Sequence, residues 1–203
     1  FEDALRRFRA LGYEVRDIEL PHVRYALACY YIIMPAEAST NLARYDGVRF
    51  GFSVDGRNLL DDYMRSRSGG FGEEVRRRII LGTYVLSAGY YDAYYNRAVA
   101  VRRMIRDECA HAFGEGVDLI ATPTTPTPAF SLGTKTSDPL AMYLADLFTV
   151  PANIAGIPAL SIPMADVEYE GVTLPVGLQL MAGEGKENVL FRAGRAFLGE
   201  GTA

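Results

Sequence analysis

A chain of 203 residues with 49% hydrophobic residues can bury a full core, which excludes a disordered segment. The net charge of −4 argues against direct nucleic-acid binding, so any nucleic acid would be held by a partner. No apolar run approaches the roughly 20 residues of a membrane span, and the first residues lack a signal-peptide pattern. We therefore expect one soluble, cytoplasmic region over residues 1–203. Because the sequence starts at Phe1 inside an amphipathic helix, we expect a fragment or a processed chain.

The cysteine and histidine content argues against a metal site. Cys29 and Cys109 lie far apart in apolar, helix-like contexts, which favours buried free thiols in a reducing compartment over a disulfide. His22 and His111 are the only histidines, and we expect neither to have a Cys, Asp or Glu at metal-ligand spacing. We expect no metal and no cofactor in this chain.

The first half of the chain is mainly helical by its pattern. Residues 1–11 have apolar positions at helical spacing and end at Gly12, and residues 13–20 alternate imperfectly, as an edge strand would. Pro35 is expected to kink or break the long helix that follows. The predicted helices after residue 20 cover 23–43, 59–67, 72–88 and 90–113.

The second half alternates apolar strands with helices. Strands are predicted at 117–122, 158–164 and 175–181, with a turn at 169–172 and a closing helix from residue 187. This alternation predicts an α/β fold with a mixed, mostly parallel sheet and helices on both faces. The three strands are apolar on both faces, so we expect the isolated chain to expose apolar surface that a larger sheet would cover.

Arg78 is the one charged residue whose position is hard to explain as solvent-facing. At about 100° per residue, the helix from Gly72 places Arg78 within its apolar face, whereas Arg76 and Arg77 point outward. A guanidinium in an apolar setting needs a planar anionic partner. That partner is either a protein carboxylate or a ligand, and geometry alone favours the ion pair.

Asp146 is the only charged residue between Pro139 and Ala165. An arginine and an aspartate on two buried helices can neutralise each other. Alternatively, each can bind one end of a zwitterion, the cation its α-carboxylate and the anion its α-ammonium. The sequence alone favours the first arrangement, and an amino-acid substrate would favour the second.

Three long motifs carry a family resemblance. They are EASTNLARYDGVRFG, RSGGFGEEVRRRIILGTYVLSAGYYDAYY and DPLAMYLADLFTVPANIAGIPALSIPM. They resemble the C-terminal half of the A subunits of glutamyl-tRNA(Gln) amidotransferases, which belong to the amidase-signature family. The resemblance runs over nearly the whole chain and implies the C-terminal part of the amidase-signature fold.

The resemblance implies a glutaminase that releases ammonia from glutamine. The B and C subunits would complete a heterotrimer, in which a partner subunit uses that ammonia with ATP and Mg²⁺ to amidate glutamate, or aspartate, on tRNA. The family's catalytic lysine, its two serines and its Gly/Ser-rich signature have no counterpart here. We therefore expect the chemistry to lie N-terminal to Phe1 and this chain alone to be inactive.

Carried over residue by residue, the glutamine-binding positions resemble Tyr30, Arg78 and Asp146. Tyr31 is adjacent to Tyr30, so the register of that match can shift by one residue. A packed core tyrosine remains the alternative for Tyr30. Two other function classes stay open: another amidase-signature hydrolase with a structural Arg78–Asp146 pair, and a non-catalytic module that binds a partner subunit.

Overall fold

The computed structural model describes residues 1–134 and 139–200. The chain divides into two compact units, the first made of Phe1–Leu27 with Val101–Ala203 and the second of Ala28–Ala100. No helix in the described ranges has the length and the apolar content that crossing a membrane requires.

Helices make up most of the described chain. Short 3₁₀ turns occupy Val23–Tyr25 and Leu144–Asp146, and a π-helical turn at Tyr91–Tyr95 precedes the fifth helix. The α-helices are α1 (Glu2–Ala10), α2 (Ala26–Leu42), α3 (Leu59–Gly70), α4 (Glu73–Val85), α5 (Asn96–Gly114), α6 (Pro139–Tyr143), α7 (Val150–Ala155) and α8 (Glu187–Leu198). The predicted helices are thus confirmed, with α3 extending three residues beyond its predicted end.

Three strands form one sheet in the first unit. They are β1 (Ile120–Pro123), β2 (Ala159–Tyr169) and β3 (Val172–Met181), in the spatial order β1-β3-β2. Both pairs are antiparallel, so the predicted mostly parallel pairing is wrong for these strands. For β2 and β3 the reason is the turn between them: Glu170 and Gly171 both have positive φ, the conformation of a two-residue hairpin turn.

The centre of the sheet is the end of β3, where Leu178, Gln179, Leu180 and Met181 are all buried. Leu178 and Leu180 belong to a core that includes Phe8 of α1 and Phe197 of α8. Met181 belongs to a second apolar cluster with Ile120 and Ala152. Because successive side chains of a strand alternate between faces, these two cores lie on opposite faces of the sheet.

The predicted strand at residues 13–20 is wrong as a hydrogen-bonded element. This segment is extended, but it pairs with none of the strands in the described part of the chain. Its apolar side chains nevertheless pack as a strand's would: Tyr13 and Val15 against the core of Leu180, and Ile18 and Leu20 against that of Met181.

In the second unit, α2 and α4 approach closely at a glycine. Pro35 lies inside α2 and is fully buried. The helix continues beyond it, so of the two predicted outcomes, a kink or a break, the break is wrong. Gly82 of α4 faces the carbonyl group of Pro35. A Cβ atom at Gly82 would lie 1.9 Å from that carbonyl oxygen, so only glycine permits this approach.

We predict that Gly82→Ala destabilises the chain by about 3 kcal/mol, because overpacking against backbone cannot be relieved by a rotamer change. Urea unfolding measures the effect. Gly114→Ala is the matched control, since Gly114 lies in the last turn of α5 with nothing within 4 Å of its added Cβ. The control should be neutral or stabilising by up to about 1 kcal/mol. Equal effects of the two substitutions would contradict the close approach at Gly82.

The two cysteines are buried and form no disulfide, as predicted. Burial, with a smaller contribution from the neighbouring Glu108, raises the pKa of the Cys109 thiol from 9.0 to about 11. The folded state therefore favours the neutral Cys109 thiol over its thiolate. Its contribution to stability is complete below pH 9 and is lost as the pH rises from about 9 to about 11.

We predict that Cys109→Ala reduces the loss of stability between pH 8 and pH 10.5, because alanine cannot ionise. The measurement is the urea midpoint of both proteins at both pH values, and Cys29→Ala provides the comparison with the other buried thiol. A loss of stability that is identical in the parent chain and the Cys109 variant would show that the Cys109 thiol does not contribute.

Candidate functional site

Arg78 is half-buried on α4, with 32% of its side chain exposed. The buried positions Gly82 and Val85 lie one and two turns further along the same helix, which confirms the predicted helical phase. Arg76 and Arg77 are exposed, also as predicted. Arg78 thus lies at the boundary between the packed face of the helix and solvent, where a guanidinium can bind an anion.

Glu74 is the carboxylate that contacts Arg78 in the second unit. The Nε atom of Arg78 donates to Oε1 of Glu74 over 2.9 Å, one turn earlier on α4. Partial burial acts to lower the pKa of Arg78, but the hydrogen bond and the charge of Glu74 more than offset it, so the pKa is raised. The guanidinium is therefore charged at any pH at which the protein is folded.

The pairing through Nε determines how Arg78 presents its other donors. A guanidinium offers five N–H groups in a planar fork, and only the single Nε–H is used by Glu74 here. Nη1 lies 3.6 Å from the sulfur of Met34, a weak acceptor. The two-nitrogen end of the fork is thus the part that can bind a carboxylate in a bidentate manner.

Tyr30 and Tyr31 lie on α2 near this guanidinium. Their phenol groups act electrostatically on Arg78 and contribute to its raised pKa. The two rings are perpendicular, with centroids 5.1 Å apart. Both side chains are half-buried. The choice between them stays a prediction.

Asp146 belongs to the first unit and ends the 3₁₀ turn Leu144–Asp146. Its backbone carbonyl accepts hydrogen bonds from the amide of Thr149 at 3.1 Å and from the hydroxyl of Thr149 at 3.2 Å. The residue is exposed, so the expectation of a charge on a buried helix does not hold for it. Joint binding of one ligand by Arg78 and Asp146 stays a prediction.

Sequence reasoning missed Glu74 as the neighbour of Arg78. The available signal was the spacing of four residues between them, which places two side chains on one side of a helix. Glu74 also contacts Arg77, which in turn reaches Glu73 at 3.2 Å. Pairs at i,i+3 and i,i+4 therefore join Glu73 and Glu74 to Arg77 and Arg78.

The serines nearest the predicted ligand-binding positions are bonded to backbone groups. Ser39 donates to the carbonyl of Ala36 over 2.8 Å, and Ser87 to that of Tyr84 over 2.7 Å. Buried Ser66 accepts a hydrogen bond from the amide of Val54 over 2.9 Å. Lys186 is exposed at the start of α8, and Lys135, expected to be solvated, lies outside the described residues.

Each histidine of the first unit pairs with a glutamate. His22 contacts Glu108 through both its ring and its backbone amide, and His111 lies 3.3 Å from Glu115, a neighbour that the sequence interpretation overlooked. In residues 1–134 and 139–200, no three histidine, cysteine or acidic side chains are grouped as a metal site needs.

Known proteins resemble this chain in sequence over most of its length. The Amidase family profile matches residues 1–191. The chain is 55% identical over 188 residues to the A subunit of glutamyl-tRNA(Gln) amidotransferase from Parvibaculum lavamentivorans, covering 93% of this chain and 37% of the relative. A protein of the same name from Syntrophus aciditrophicus is 53% identical over 197 residues, covering 97% of this chain and 40% of the relative. The chain thus spans about two fifths of the length of these relatives.

Two solved structures share the fold at low sequence identity. The 6-aminohexanoate cyclic dimer hydrolase superposes with a TM-score of 0.66 at 19% identity, over 98% of this chain and 40% of that protein. Allophanate hydrolase of Kluyveromyces lactis superposes with a TM-score of 0.68 at 16% identity, over 97% of this chain and 28% of that protein. These matches confirm the α/β, amidase-signature fold. The family profile, which matches residues 1–191, shows that the chain belongs to the amidase family.

Proposed function

We propose that this chain is the C-terminal part of a glutaminase subunit of a tRNA-dependent amidotransferase. In this proposal the complete subunit releases ammonia from glutamine, and the described chain contributes glutamine recognition and scaffold. Relatives named as the A subunits of glutamyl-tRNA(Gln) amidotransferase, 51–57% identical to the chain, support it. The observation that carries the assignment of roles is Arg78, a half-buried guanidinium whose carboxylate-binding end is not used by Glu74.

The proposed chemistry divides between recognition and catalysis. Glutamine is a zwitterion, so a site that binds it needs a cation for the α-carboxylate and an anion for the α-ammonium. Arg78 supplies the first and Asp146 the second, while Tyr30 or Tyr31 lines the site beside Arg78. Glu74 fixes the guanidinium through Nε, which reduces the conformational entropy that Arg78 loses on binding. The nucleophile, its activating lysine and the oxyanion-hole donors lie in the rest of the subunit.

The partners follow from the same proposal. The B and C subunits complete a cytoplasmic heterotrimer, in which the partner subunit binds ATP, Mg²⁺ and the aminoacyl-tRNA. The net charge of −4 agrees with this division, since the chain has no excess of cations with which to bind tRNA itself. Ammonia made by the glutaminase would convert Glu-tRNA(Gln) to Gln-tRNA(Gln), and a related reaction would convert Asp-tRNA(Asn) to Asn-tRNA(Asn).

A second candidate is another amidase-signature amide hydrolase. The ion pair between Arg78 and Glu74 favours this candidate, because a guanidinium paired within the protein can have a purely structural role. An uncharged amide would then bind as well as glutamine does. Competition between glutamine and an uncharged primary amide in the complete enzyme separates the two functions.

We predict that Arg78→Ala and Asp146→Ala in the complete enzyme each raise the KM for glutamine about 30-fold, equivalent to about 2 kcal/mol. This estimate is at the low end for a charged contact because both side chains are partly or largely exposed, which screens their charges. The ammonia-dependent reaction should be unchanged, since free ammonia bypasses glutamine binding. Steady-state kinetics with glutamine and with ammonium chloride test this.

Two exposed residues provide matched controls for these variants. Arg76 lies on the same helix as Arg78, and Asp166 is an exposed aspartate on β2, so alanine at either position should leave the KM for glutamine unchanged. If both site variants lose the ammonia-dependent reaction and unfold at lower urea concentration, the two residues have a structural role and the recognition role is wrong.

We predict that the chain alone does not hydrolyse glutamine. Loss of a nucleophile together with its base costs on the order of 10⁶ in rate. The measurement is ammonia release from glutamine by the purified chain. The rest of the complete gene product is then added as a separate polypeptide. Recovery on mixing is the expected result. Hydrolysis by the chain alone would contradict the assignment of roles.

A further inference from the structure

Gln179 is a buried polar residue at the centre of the sheet. Only 4% of it is exposed, and its neighbours on β3, Leu178 and Leu180, belong to an apolar core. Burying an amide without hydrogen bonds costs free energy that an apolar residue of the same size would not lose. The hydrogen bonds of Gln179 therefore indicate what this side chain does.

The side-chain amide of Gln179 joins two other segments to β3. Its Nε2 atom donates to the carbonyl oxygen of Phe148 over 2.7 Å and to the hydroxyl oxygen of Thr122, on β1, over 3.1 Å. A backbone carbonyl oxygen can only accept, so the nitrogen end of the amide has to face Phe148. Two acceptors use both N–H groups of the amide. The bond to Phe148 is thus a defined link between the centre of the sheet and the chain that precedes α7.

Phe148 follows Asp146 by two residues, in the turn that connects Leu144–Asp146 to α7. The amide and the hydroxyl of Thr149 donate to the carbonyl oxygen of Asp146 at 3.1 and 3.2 Å. The backbone of Asp146 is therefore bonded to Thr149, and the chain between these two residues is bonded to the sheet through Phe148. Gln179 connects this turn to the most buried strand of the first unit.

Apolar packing contributes little to holding this turn in place. Leu144 and Leu147, on either side of Asp146, are exposed, and the buried residues of α7 begin only at Val150. Asp146 is itself exposed. Where side chains are not packed, the position of the backbone depends on its hydrogen bonds. The link from Gln179 is therefore a main determinant of where the Asp146 carboxylate lies.

We propose that Gln179 is a positioning residue for glutamine recognition, because it holds the turn from which Asp146 binds the α-ammonium group. This inference rests on the proposed role of Asp146. A carboxylate whose backbone is already fixed loses less conformational entropy when the ligand binds, so affinity depends on the link as well as on the charge. Gln179 is buried, and it acts through Asp146 without contacting the substrate.

A hydroxyl pair on the same face of the sheet provides a control. Ser161 is the register partner of Gln179 on β2, and its hydroxyl oxygen lies 2.7 Å from that of Thr124. The two hydroxyls meet above Gly177, where an added Cβ would lie 2.7 Å from Oγ1 of Thr124. In the described ranges, neither hydroxyl bonds with residues 144–149. Loss of this pair should therefore leave Asp146 in place.

We predict that Gln179→Met in the complete enzyme raises the KM for glutamine about 10-fold, the change that corresponds to one net hydrogen bond. Methionine is similar in length but has no N–H group. Gln179→Asn should act in the same way, because its amide is one methylene too short to reach Phe148, and it replaces the first variant should methionine prevent folding. The kcat of the ammonia-dependent reaction should be unchanged, and Ser161→Ala should alter neither quantity.

Combination with Asp146→Ala distinguishes positioning from a general structural effect. If Gln179 acts through Asp146, Gln179→Met should change the KM for glutamine by less than about twofold once the carboxylate is gone. A 10-fold rise in both backgrounds would contradict the proposal. So would an unchanged KM in the Gln179 variants when Asp146→Ala alone raises it, and that result would leave the proposed function intact.

Amide hydrogen exchange in the complete enzyme tests the link without reference to activity. The amides of Leu147 and Thr149 should exchange about 10-fold faster in the Gln179→Met variant, whereas that of Leu190 in α8 should not change. Equal exchange in variant and parent would show that Gln179 does not hold the turn, and the proposal would be wrong. Faster exchange combined with no effect of Asp146→Ala on the KM would instead contradict the proposed recognition role of Asp146, and this inference with it.

Discussion

Burial of both faces of β3 is the constraint on which the first unit depends. Leu178 and Leu180 have almost no access to solvent on one face, and Met181 is nearly as well covered on the other. A strand buried on both faces needs a helix layer on each side, which α1 and α8 provide on one and α7 on the other. It also needs strands along both edges, and β1 and β2 supply these.

Much of this architecture was predictable from local pattern. The helices carry apolar residues at helical spacing. The phase of α4 alone placed Arg78 within the apolar face, and the structure has it half-buried. The direction of strand pairing was less accessible, because it depends on two positive φ values at Glu170 and Gly171. Alternation of strands with helices suggested parallel crossovers, but a two-residue turn permits only an antiparallel hairpin.

Local composition gave a wrong expectation for the exposure of Asp146. Asp146 is the only charge in a long apolar stretch, and that isolation suggested burial, yet short helical turns leave it exposed. Local hydrophobicity does not determine exposure when many of the apolar neighbours are themselves exposed, as Leu144 and Leu147 are. For Arg78 the phase was right, but its partner Glu74 lies on the same helix. Sequence reasoning sought a long-range partner and passed over the nearest carboxylate.

The Arg78–Glu74 pair has a consequence for binding. A guanidinium held at Nε keeps its orientation without a ligand, so its two-nitrogen end is directed before any ligand binds. A carboxylate bound there would meet a charge whose position is already fixed, and little ordering of Arg78 would remain. Asp146 is exposed, so its proposed role depends more on the rest of the complete enzyme.

The most direct measurement is a crystal structure of the complete enzyme with bound glutamine. We predict that both Nη atoms of Arg78 lie within hydrogen-bonding distance of the α-carboxylate, that Nε stays on Glu74, and that Asp146 contacts the α-ammonium. A bound glutamine whose α-carboxylate is held by other residues, with Arg78 contacting only Glu74, would contradict the claim that this chain recognises the substrate.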